Sequence, residues 1–393
     1  MHFTPRGYGT GVQSPSKTMQ CYNFSVPTSN PFPQAIEFED ILKYPSCQYF
    51  YIDNFGRGKM YIPRVLEKTI RDHLKSREII GIMGPRQSGK TTLMNHIFQN
   101  LENAHWLDFE DRRILELFTD DIDSFIELHV KPYNFLFIDE FQYAKEGGKS
   151  LKYIYDHHST KIFISGSSVS GLSIHGIKYL VGRIFVFPLL PFSFDEFLSY
   201  KEPNVFSKIY SKNKSLSKPI VDKILPHFNE FCVYGGYPRV VQSETMEEKE
   251  TILRNIFNTY FLKEIKEILN LPEDHKQSKL IQALAFHPGN LTNYNELSLT
   301  TGFAYKDLIN YLNILEKTYI TISARPFFTN KRTELVKNPK IFFLDNGFRN
   351  WVTKNFQPVK ERPDKGWLYE NFVASELAKK EIELKYWRTK SIA

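Results

Sequence analysis

The fold is decided by one short stretch, Gly84-Pro85-Arg86-Gln87-Ser88-Gly89-Lys90-Thr91. Its spacing of glycine, lysine and threonine is that of the phosphate-binding loop G-x-x-x-x-G-K-[ST]. The apolar run 78–83 before it predicts a buried strand, and residues 90–102 after it predict a helix. A glycine-rich turn in this context points backbone N–H groups and the positive end of a helix at an anion. The stretch therefore predicts a binding site for the phosphates of a nucleotide.

Individual residues of this stretch have separable roles. We expect Lys90 to place a compact positive charge against the β- and γ-phosphates and the Thr91 hydroxyl to bind Mg²⁺. Arg86 receives no catalytic role, because its side chain is expected to point away from the loop. The residues predicted to contact the nucleotide are Gly84, Pro85, Arg86, Gln87, Ser88, Gly89, Lys90, Thr91 and Thr92. The alternative, a glycine-rich turn without a ligand, stays open.

A second motif is an apolar run, residues 135–138, that ends in Asp139 and Glu140. Strand ends often carry solvated carboxylates, so the pair alone is a weak signal. It gains weight from its position about 50 residues after the loop, with one predicted strand between them. We therefore predict that Asp139 holds Mg²⁺ through water, and that Glu140 orients or deprotonates the attacking water.

Glu140 also distinguishes between reaction types. A nucleotide kinase needs no general base beside the metal-binding aspartate, whereas a hydrolase does. The guanine-reading motif Asn-Lys-x-Asp is absent from the sequence, since Asn213-Lys214 and Asn330-Lys331 are followed by other residues. The sequence therefore favours ATP over GTP, and hydrolysis over phosphoryl transfer to a second substrate.

Two further residues are weaker candidates for catalysis. Ser167 follows an apolar run at 162–164, where its hydroxyl could sense the γ-phosphate, although a serine-rich turn is the alternative. Arg183 opens the fifth predicted strand, from which it could reach a phosphate in its own or a neighbouring subunit. A solvated arginine at a strand end is the alternative interpretation of Arg183.

The distribution of apolar residues predicts an α/β fold built on a P-loop parallel sheet. Short apolar runs alternate with amphipathic stretches, which is the pattern of parallel strands joined by crossover helices. The predicted strands are 78–83, 105–109, 134–139, 161–165 and 183–187. The predicted helices between them are 90–102, 121–130 and 148–157.

The second half of the chain is predicted to be mainly helical. A long amphipathic helix is expected at 246–269, where apolar residues recur at helical spacing. Three helices and two strands follow, at 278–286, 294–301, 305–317, 319–323 and 340–344. Three helices before a two-stranded hairpin are typical of a winged helix-turn-helix domain.

Together the motifs resemble those of a large group of prokaryotic AAA-type P-loop ATPases. Further matching stretches are Tyr61-Ile62-Pro63-Arg64, Ser165-Gly166-Ser167-Ser168, Gly182-Arg183, Pro191-Phe192-Ser193-Phe194, Tyr234-Gly235-Gly236-Tyr237-Pro238, Leu344-Asp345-Asn346-Gly347 and Tyr369-Glu370-Asn371-Phe372-Val373. The resemblance covers roughly residues 58–393. It implies an AAA-like ATPase core joined to a C-terminal domain of unknown function, which combines a winged helix with a restriction-endonuclease-like fold.

The resemblance also implies a division into domains. The expected parts are an N-terminal extension (1–55), an AAA-like P-loop ATPase core (56–200), a helical lid or linker (201–273), a winged helix (274–346) and the incomplete start of a nuclease-like domain (347–393). Relatives usually continue into the carboxylates that a nuclease metal site needs, and only Glu370 here could belong to one. We therefore expect a chain that is truncated at its C-terminus and lacks nuclease activity.

Composition narrows the class of protein only slightly. Of the 393 residues, 41% are hydrophobic and 24% are charged, as in soluble globular proteins. Cys21, Cys47 and Cys232 are far apart and lack metal-ligand spacing, which fits a reducing compartment. The sequence has no recognisable secretory signal and no apolar run of about 18 residues. It therefore predicts a cytoplasmic protein without a membrane partner.

Two functions of different classes fit these features. The first is an ATPase that couples hydrolysis to movement of its C-terminal domains, and the second is a DNA-binding regulator that ATP switches. The net charge of +7 and a basic predicted wing fit double-stranded DNA, whereas many winged helices bind protein, so a protein partner stays open. The residues concerned are Tyr305, Lys306, Asp307, Asn310 and Asn313 in the predicted recognition helix and Arg325, Lys331, Arg332, Lys337 and Lys340, against Glu334, in the wing.

Overall fold

The computed structural model describes residues 50–52, 58–167, 177–210, 216–259, 274–328, 330, 332, 334 and 337–387. Most of the predicted extension 1–55 lies outside these ranges. So do the last part of the predicted helix 246–269 and the predicted wing residue Lys331.

The strands of the described residues form three sheets. They are β1 (Phe50–Ile52), β2 (Gly58–Met60), β3 (Ile79–Gly84), β4 (Ala104–Asp108), β5 (Phe135–Asp139), β6 (Lys161–Ser167), β7 (Ile184–Pro188), β8 (Thr321–Pro326), β9 (Lys340–Phe343) and β10 (Lys385–Tyr386). Strands β1 and β2 form an antiparallel pair. Strands β3 to β7 form a five-stranded parallel sheet, as the sequence predicts, in the order β4-β5-β6-β3-β7.

Helices account for most of the remaining described residues. They are α1 (Val65–Asp72), α2 (Lys90–Gln99), α3 (Arg112–Asp120), α4 (Ile122–Phe125), α5 (Gly147–His157), α6 (Phe194–Lys201), α7 (Pro203–Tyr210), α8 (Lys218–Tyr234), α9 (Pro238–Val241), α10 (Met246–Ile256), α11 (Asp274–Phe286), α12 (Tyr294–Thr301), α13 (Tyr305–Lys317), α14 (Asn346–Thr353) and α15 (Lys365–Lys379). Short 3₁₀ segments occupy Phe141–Tyr143, Ile177–Leu180 and Val359–Glu361. Within the described residues, we find no helix with the length and apolar character needed to cross a membrane.

Strand β3 illustrates why the sheet strands are so apolar. Its residues are all buried, and alternate side chains enter different cores. Ile79 and Met83 pack into the core on one face, whereas Ile80 and Ile82 pack into the core on the other. A strand covered on both faces has no solvent-exposed side, so its sequence reads as a continuous apolar run.

Some helices of the parallel-sheet region differ from the predicted ones. Helices α1 and α3 were not predicted, although Ile114, Leu117 and Phe118 recur at helical spacing in α3. The predicted helix 121–130 begins as α4 and continues as a single π-helical turn, Ile126–Val130. The predicted helices 90–102 and 148–157 are confirmed as α2 and α5, with slightly different ends.

The parallel arrangement brings the carboxyl ends of all five strands to one edge of the sheet, and four of these ends carry residues of the predicted site or an acid. Gly84 ends β3, Asp108 ends β4, Asp139 ends β5 and Ser167 ends β6. We call this edge the carboxyl edge. Ligands of open α/β sheets bind outside the carboxyl ends of the strands, so this edge is where a site is expected.

The region after residue 274 has the predicted order of helices and strands. Helices α11, α12 and α13 precede β8 and β9, which pair antiparallel, and β10 adds a third strand parallel to β8. One hydrophobic core includes Cys232, Leu280, Tyr311, Phe348 and Leu368, and so takes residues from both sides of the expected boundaries near 273 and 346. The predicted domain boundaries stay a prediction.

Two glycines join the parallel-sheet region to the later helices by close backbone contacts. The Gly236 carbonyl accepts a 2.7 Å hydrogen bond from the N–H of Phe192, and its own N–H donates a 2.7 Å bond to the Asp345 carboxylate. A Cβ on Gly236 would lie 2.2 Å from the Phe192 carbonyl oxygen. Gly235 has φ of 75°, and a Cβ there would lie 2.1 Å from Asp345 Oδ1. Only glycine fits either position without displacing its neighbours.

Gly236→Ala is expected to lower the free energy of unfolding by about 1–3 kcal/mol, because the added methyl overlaps backbone that cannot move freely. Gly366→Ala is the matched control, since a Cβ there meets nothing within 4 Å and the residue lies within helix α15. The control is expected to keep or slightly raise stability. Urea unfolding of the two variants measures the difference, and equal midpoints would contradict the packing described above.

Candidate functional site

The predicted phosphate-binding stretch forms a loop between β3 and α2 at the carboxyl edge. Gly89 takes φ of 95° immediately before α2 begins at Lys90, and Gln87 takes φ of 62°. A Cβ on Gly84 would lie 2.2 Å from the carbonyl oxygen of Leu189. The two glycines of the motif are therefore required by backbone conformation at one end and by close packing at the other.

Lys90 lies inside the loop with its ammonium group turned toward backbone oxygens. Its Nζ donates hydrogen bonds to the carbonyl oxygens of Gly84 (3.1 Å) and Pro85 (3.0 Å). Burial lowers the pKa of Lys90 to about 8, while the charges of Glu140 and Asp139 act in the opposite direction. A cation held this way can exchange loop carbonyls for phosphate oxygens.

The loop also holds polar atoms that fit a phosphate ligand. Among the described residues, the buried Ser88 hydroxyl has no hydrogen-bond partner and is free to donate to a phosphate oxygen. The buried Gln87 Oε1 also has no partner, but an amide oxygen only accepts and does not suit an anion. Arg86 and Thr91 are exposed, Thr92 is half-buried and Pro85 is buried. The N–H groups of the first turn of α2 have no partner within the helix, so they remain available to an anion. An oxyanion with an associated divalent cation fits this set of donors and hydroxyls.

Asp139 is held at the end of β5 by a hydroxyl that the sequence did not single out. The Ser165 hydroxyl donates to Asp139 Oδ1, and the Glu140 N–H donates to the same oxygen at 3.1 Å. Strands β5 and β6 pair in parallel with Ile138 opposite Ile164, so the next residue of each strand meets its neighbour. This strand register, rather than residue type, is the signal that identifies Ser165.

Glu140 adopts a left-handed backbone conformation, with φ of 53°. Its Oε2 accepts a hydrogen bond from Gln142 Nε2, and Gln142 Oε1 accepts a 3.2 Å bond from the Ser167 N–H. Burial and the charge of Asp139 raise the pKa of Glu140, against the opposing effects of Gln142, Lys90 and Arg86. A raised pKa makes this carboxylate a better proton acceptor near neutral pH. Gln142, which the sequence did not single out, therefore holds one oxygen of the Glu140 carboxylate in place.

Ser167 lies where the sequence predicts, next to the phosphate-binding loop. It pairs with Gly84 across β6 and β3, which places it at the carboxyl edge. Its role as a γ-phosphate sensor stays a prediction.

Arg183 is not brought to the loop. Its carbonyl accepts a hydrogen bond from the N–H of Ile79, the first residue of β3, whereas the loop follows the last residue of that strand. Its guanidinium pairs with Asp156 at 2.7 Å. The predicted contact with a phosphate in its own chain is therefore corrected, because an arginine that precedes a parallel strand lies at the opposite edge from the P-loop. A role toward a neighbouring subunit stays a prediction.

Asp108 is a further acidic residue at the carboxyl edge. It ends β4 and pairs in register with Asp139 of β5. Burial is the main cause of the raised pKa of Asp108, and the charge of Asp139 adds to it. An apolar strand ending in an acid was the signal that identified Asp139, and the same signal is present in residues 104–108.

The comparisons with known families agree with this geometry. Residues 76–198 match a family model described as an AAA domain, and residues 225–359 match one described as a domain of unknown function, DUF8612. Residues 76–198 thus combine a match to an AAA domain with the five-stranded parallel sheet and the P-loop motif after β3. The C-terminal match fits the predicted domain of unknown function.

The relatives found by sequence carry no described function. An uncharacterized protein of Haemophilus influenzae is 28% identical over 307 residues, covering 74% of this chain and 71% of the relative. The uncharacterized protein MJ1544 of Methanocaldococcus jannaschii is 25% identical over 338 residues, covering 84% of this chain and 72% of the relative.

Similar solved structures are remote. The Walker-type ATPase PABY2304 of Pyrococcus abyssi is 15% identical, with 75% of this chain and 96% of that chain covered and a TM-score of 0.44. Domain III of the Thermotoga maritima replication initiation protein DnaA is 14% identical, with 55% and 94% covered and a TM-score of 0.30.

Proposed function

We propose that the chain binds ATP with Mg²⁺ at the carboxyl edge and hydrolyses it, and that hydrolysis is coupled to the C-terminal region. The observation that carries this proposal is Glu140, a half-buried carboxylate of raised pKa beside Asp139 and oriented by Gln142. A protein that only binds a nucleotide has no need of an oriented base at this point.

Each residue of the site has a defined part in this proposal. The ammonium group of Lys90 leaves the Gly84 and Pro85 carbonyls and neutralises charge on the β- and γ-phosphates. The Thr91 hydroxyl and the Asp139 carboxylate hold Mg²⁺, which supplies electrostatic stabilisation of charge on the phosphates. Glu140 accepts a proton from the attacking water or orients it, while Gln142 fixes the carboxylate.

Equilibrium binding with a fluorescent ATP analogue tests the ligand assignment. Wild-type protein is expected to bind the ATP analogue more tightly than the GTP analogue, and more tightly with Mg²⁺ than with a chelator. Asp139→Asn is expected to remove most of the Mg²⁺ effect, because it loses the charge that attracts the cation. Asp120→Asn, an exposed aspartate at the end of α3, is the matched control. Binding that ignores Mg²⁺ in all three proteins would contradict the metal assignment.

A DNA-binding role that ATP switches is the second candidate function. It is supported by the order of three helices and an antiparallel strand pair, read as a winged helix, and by the exposed side chains of Arg325, Arg332 and Lys337. Two neighbouring charges are engaged elsewhere, since Lys340 pairs with Glu370 at 2.9 Å and Glu334 with Lys385 at 3.4 Å. Three exposed cationic side chains are enough to bind the phosphate backbone of DNA with modest affinity.

If this surface binds duplex DNA, affinity is expected to fall about 40-fold between 50 and 200 mM salt, for about three phosphate contacts. Arg325→Ala is expected to lower the slope of log affinity against log salt by about one. Lys75→Ala, which removes an exposed lysine outside this region, is the matched control. The absence of binding at low salt would exclude the DNA-binding role.

A further inference from the structure

Arg64 connects the phosphate-binding loop to a turn that the mechanism above does not use. Its Nη1 donates a 2.9 Å hydrogen bond to the carbonyl oxygen of Ser88, inside the loop. Its Nη2 donates a 2.6 Å bond to the Leu190 carbonyl, and its Nε pairs with Glu196 at 3.0 Å. We call residues 190–196 the connector. Arg64 thus holds the loop and both ends of the connector at once.

The Arg64–Glu196 pair is buried, and its hydrogen bonds are unusually complete. The side chains are only 6% and 8% exposed. Glu196 Oε1 also accepts from the Val65 N–H at 2.9 Å, and Oε2 accepts from the Ser193 N–H at 3.0 Å. The guanidinium carbon lies 4.6 Å from the centroid of the Phe192 ring. A buried ion pair contributes little net stability compared with apolar packing. Here its hydrogen bonds fix the positions of Arg64, Val65 and Ser193 relative to one another.

Helix α15, from the C-terminal part of the chain, also contacts the connector. The Phe194 N–H donates a 2.8 Å hydrogen bond to Glu376 Oε2, and Lys379 Nζ donates a 2.9 Å bond to the Phe192 carbonyl. Lys379 also pairs with Glu376 at 3.1 Å. The connector is therefore bound to the phosphate-binding loop through Arg64 and to α15 through Glu376 and Lys379.

We propose that Arg64 is a positioning residue that couples occupancy of the phosphate-binding loop to the docking of α15, through the connector. This inference rests on the proposed ATP site. The hydrogen bond from Arg64 holds the Ser88 carbonyl oxygen away from the phosphate site. A carbonyl oxygen turned toward a bound phosphate would repel its negative charge. Docked α15 fixes the connector that in turn fixes Arg64, so docking favours the phosphate-binding form of the loop.

The element with two states is Lys90. Without phosphate it is bound to the carbonyls of Gly84 and Pro85, and with phosphate it must release them. When Lys90 releases these carbonyls, we expect the loop backbone to shift, including the Ser88 carbonyl to which Arg64 is bound. Because coupling between two sites is reciprocal, loosening α15 must weaken ATP binding by the same factor by which ATP tightens α15.

The test measures the ATP Kd of Glu376→Ala, which removes the carboxylate that holds Phe194 without altering the nucleotide site. The expected result is a Kd raised at least about fivefold. Asp195→Asn is the matched control, since it removes a partly exposed 2.9 Å ion pair that joins the connector to Lys380, the residue just after α15. The control is expected to stay within about twofold of wild type, because exposed pairs contribute little.

A second measurement uses amide hydrogen exchange of the connector, with and without saturating ATP and Mg²⁺. Wild-type exchange is expected to slow on ATP binding, and Arg64→Lys, which keeps the charge but loses the forked contacts, is expected to lose that change while still binding ATP. A merely structural role would leave the ATP-dependent change intact.

Equal ATP Kd values for wild type and Glu376→Ala would overturn the inference and leave the proposed function standing. So would an ATP-dependent change of the same size in Arg64→Lys. The absence of ATP binding by the wild type would overturn the proposed function and the inference with it.

Discussion

Lys90→Ala is expected to weaken ATP binding by about 100-fold. A buried charge-assisted hydrogen bond contributes up to about 3 kcal/mol, and each 1.4 kcal/mol corresponds to a tenfold change in affinity. Lys90 is 6% exposed and lies within the loop itself, so solvent screens its charge little. Equilibrium titration with a fluorescent ATP analogue measures the loss.

The same residue predicts a pH dependence of binding. Burial lowers the pKa of Lys90 to about 8 in the nucleotide-free protein, so the ammonium group loses its proton as pH rises through that value. ATP binding requires the charged form, and affinity is therefore expected to fall above about pH 8 and to level off below it. The trend should be absent in Lys90→Ala. Lys75→Ala, an exposed lysine away from the loop, is expected to behave as wild type in both experiments.

Glu140→Gln is expected to keep ATP binding and to lower the turnover number by a factor of about 10²–10⁴, the range that general acid–base catalysis contributes. The amide has nearly the shape of the carboxylate but cannot accept a proton from water. Steady-state phosphate release and analogue binding separate the two effects, because the loss should appear in turnover and not in affinity.

The control for this variant is Glu116→Gln, which changes an exposed glutamate of α3. It is expected to leave both turnover and affinity unchanged. A Glu140→Gln protein that hydrolyses ATP at the wild-type rate would remove Glu140 from the role of water-activating residue.

Much of the fold was predictable because it depends on local patterns. The five strands are recognisable as apolar runs because both faces of the sheet are covered. The loop after β3 is recognisable from its motif, in which one glycine is required by close packing and the other by its positive φ. Helix α3 carried a readable apolar spacing that was missed, and the split at Ile126 into a π-helical turn has no evident sequence signal.

The parts of the site that escaped prediction depend on neighbours in space. Ser165 contacts Asp139 because β6 lies beside β5 in the sheet. The order of strands in a sheet cannot be predicted from the sequence of any single strand. Gln142 orients Glu140 only because the chain turns back after β5. The phosphate contact predicted for Arg183 within its own chain was wrong for a related reason: the motif gives the residue type, but the edge of the sheet follows from strand direction.

Arg64 shows the same limit across a longer range. It lies 24 residues before Ser88 and 132 before Glu196 in sequence, yet contacts both. The family resemblance includes the two stretches that contain Arg64 and Ser193. It does not indicate that these stretches contact each other beside the phosphate-binding loop.

The proposed site hydrolyses ATP rather than merely holding it. Phosphate release from ATP by purified wild-type protein, with Mg²⁺ and with a chelator, and beside Glu140→Gln, measures it most directly. Wild-type protein is expected to release phosphate only when Mg²⁺ is present, and Glu140→Gln is expected to lower that release by a factor of about 10²–10⁴. Wild-type protein that binds ATP but releases no phosphate under any of these conditions would contradict it.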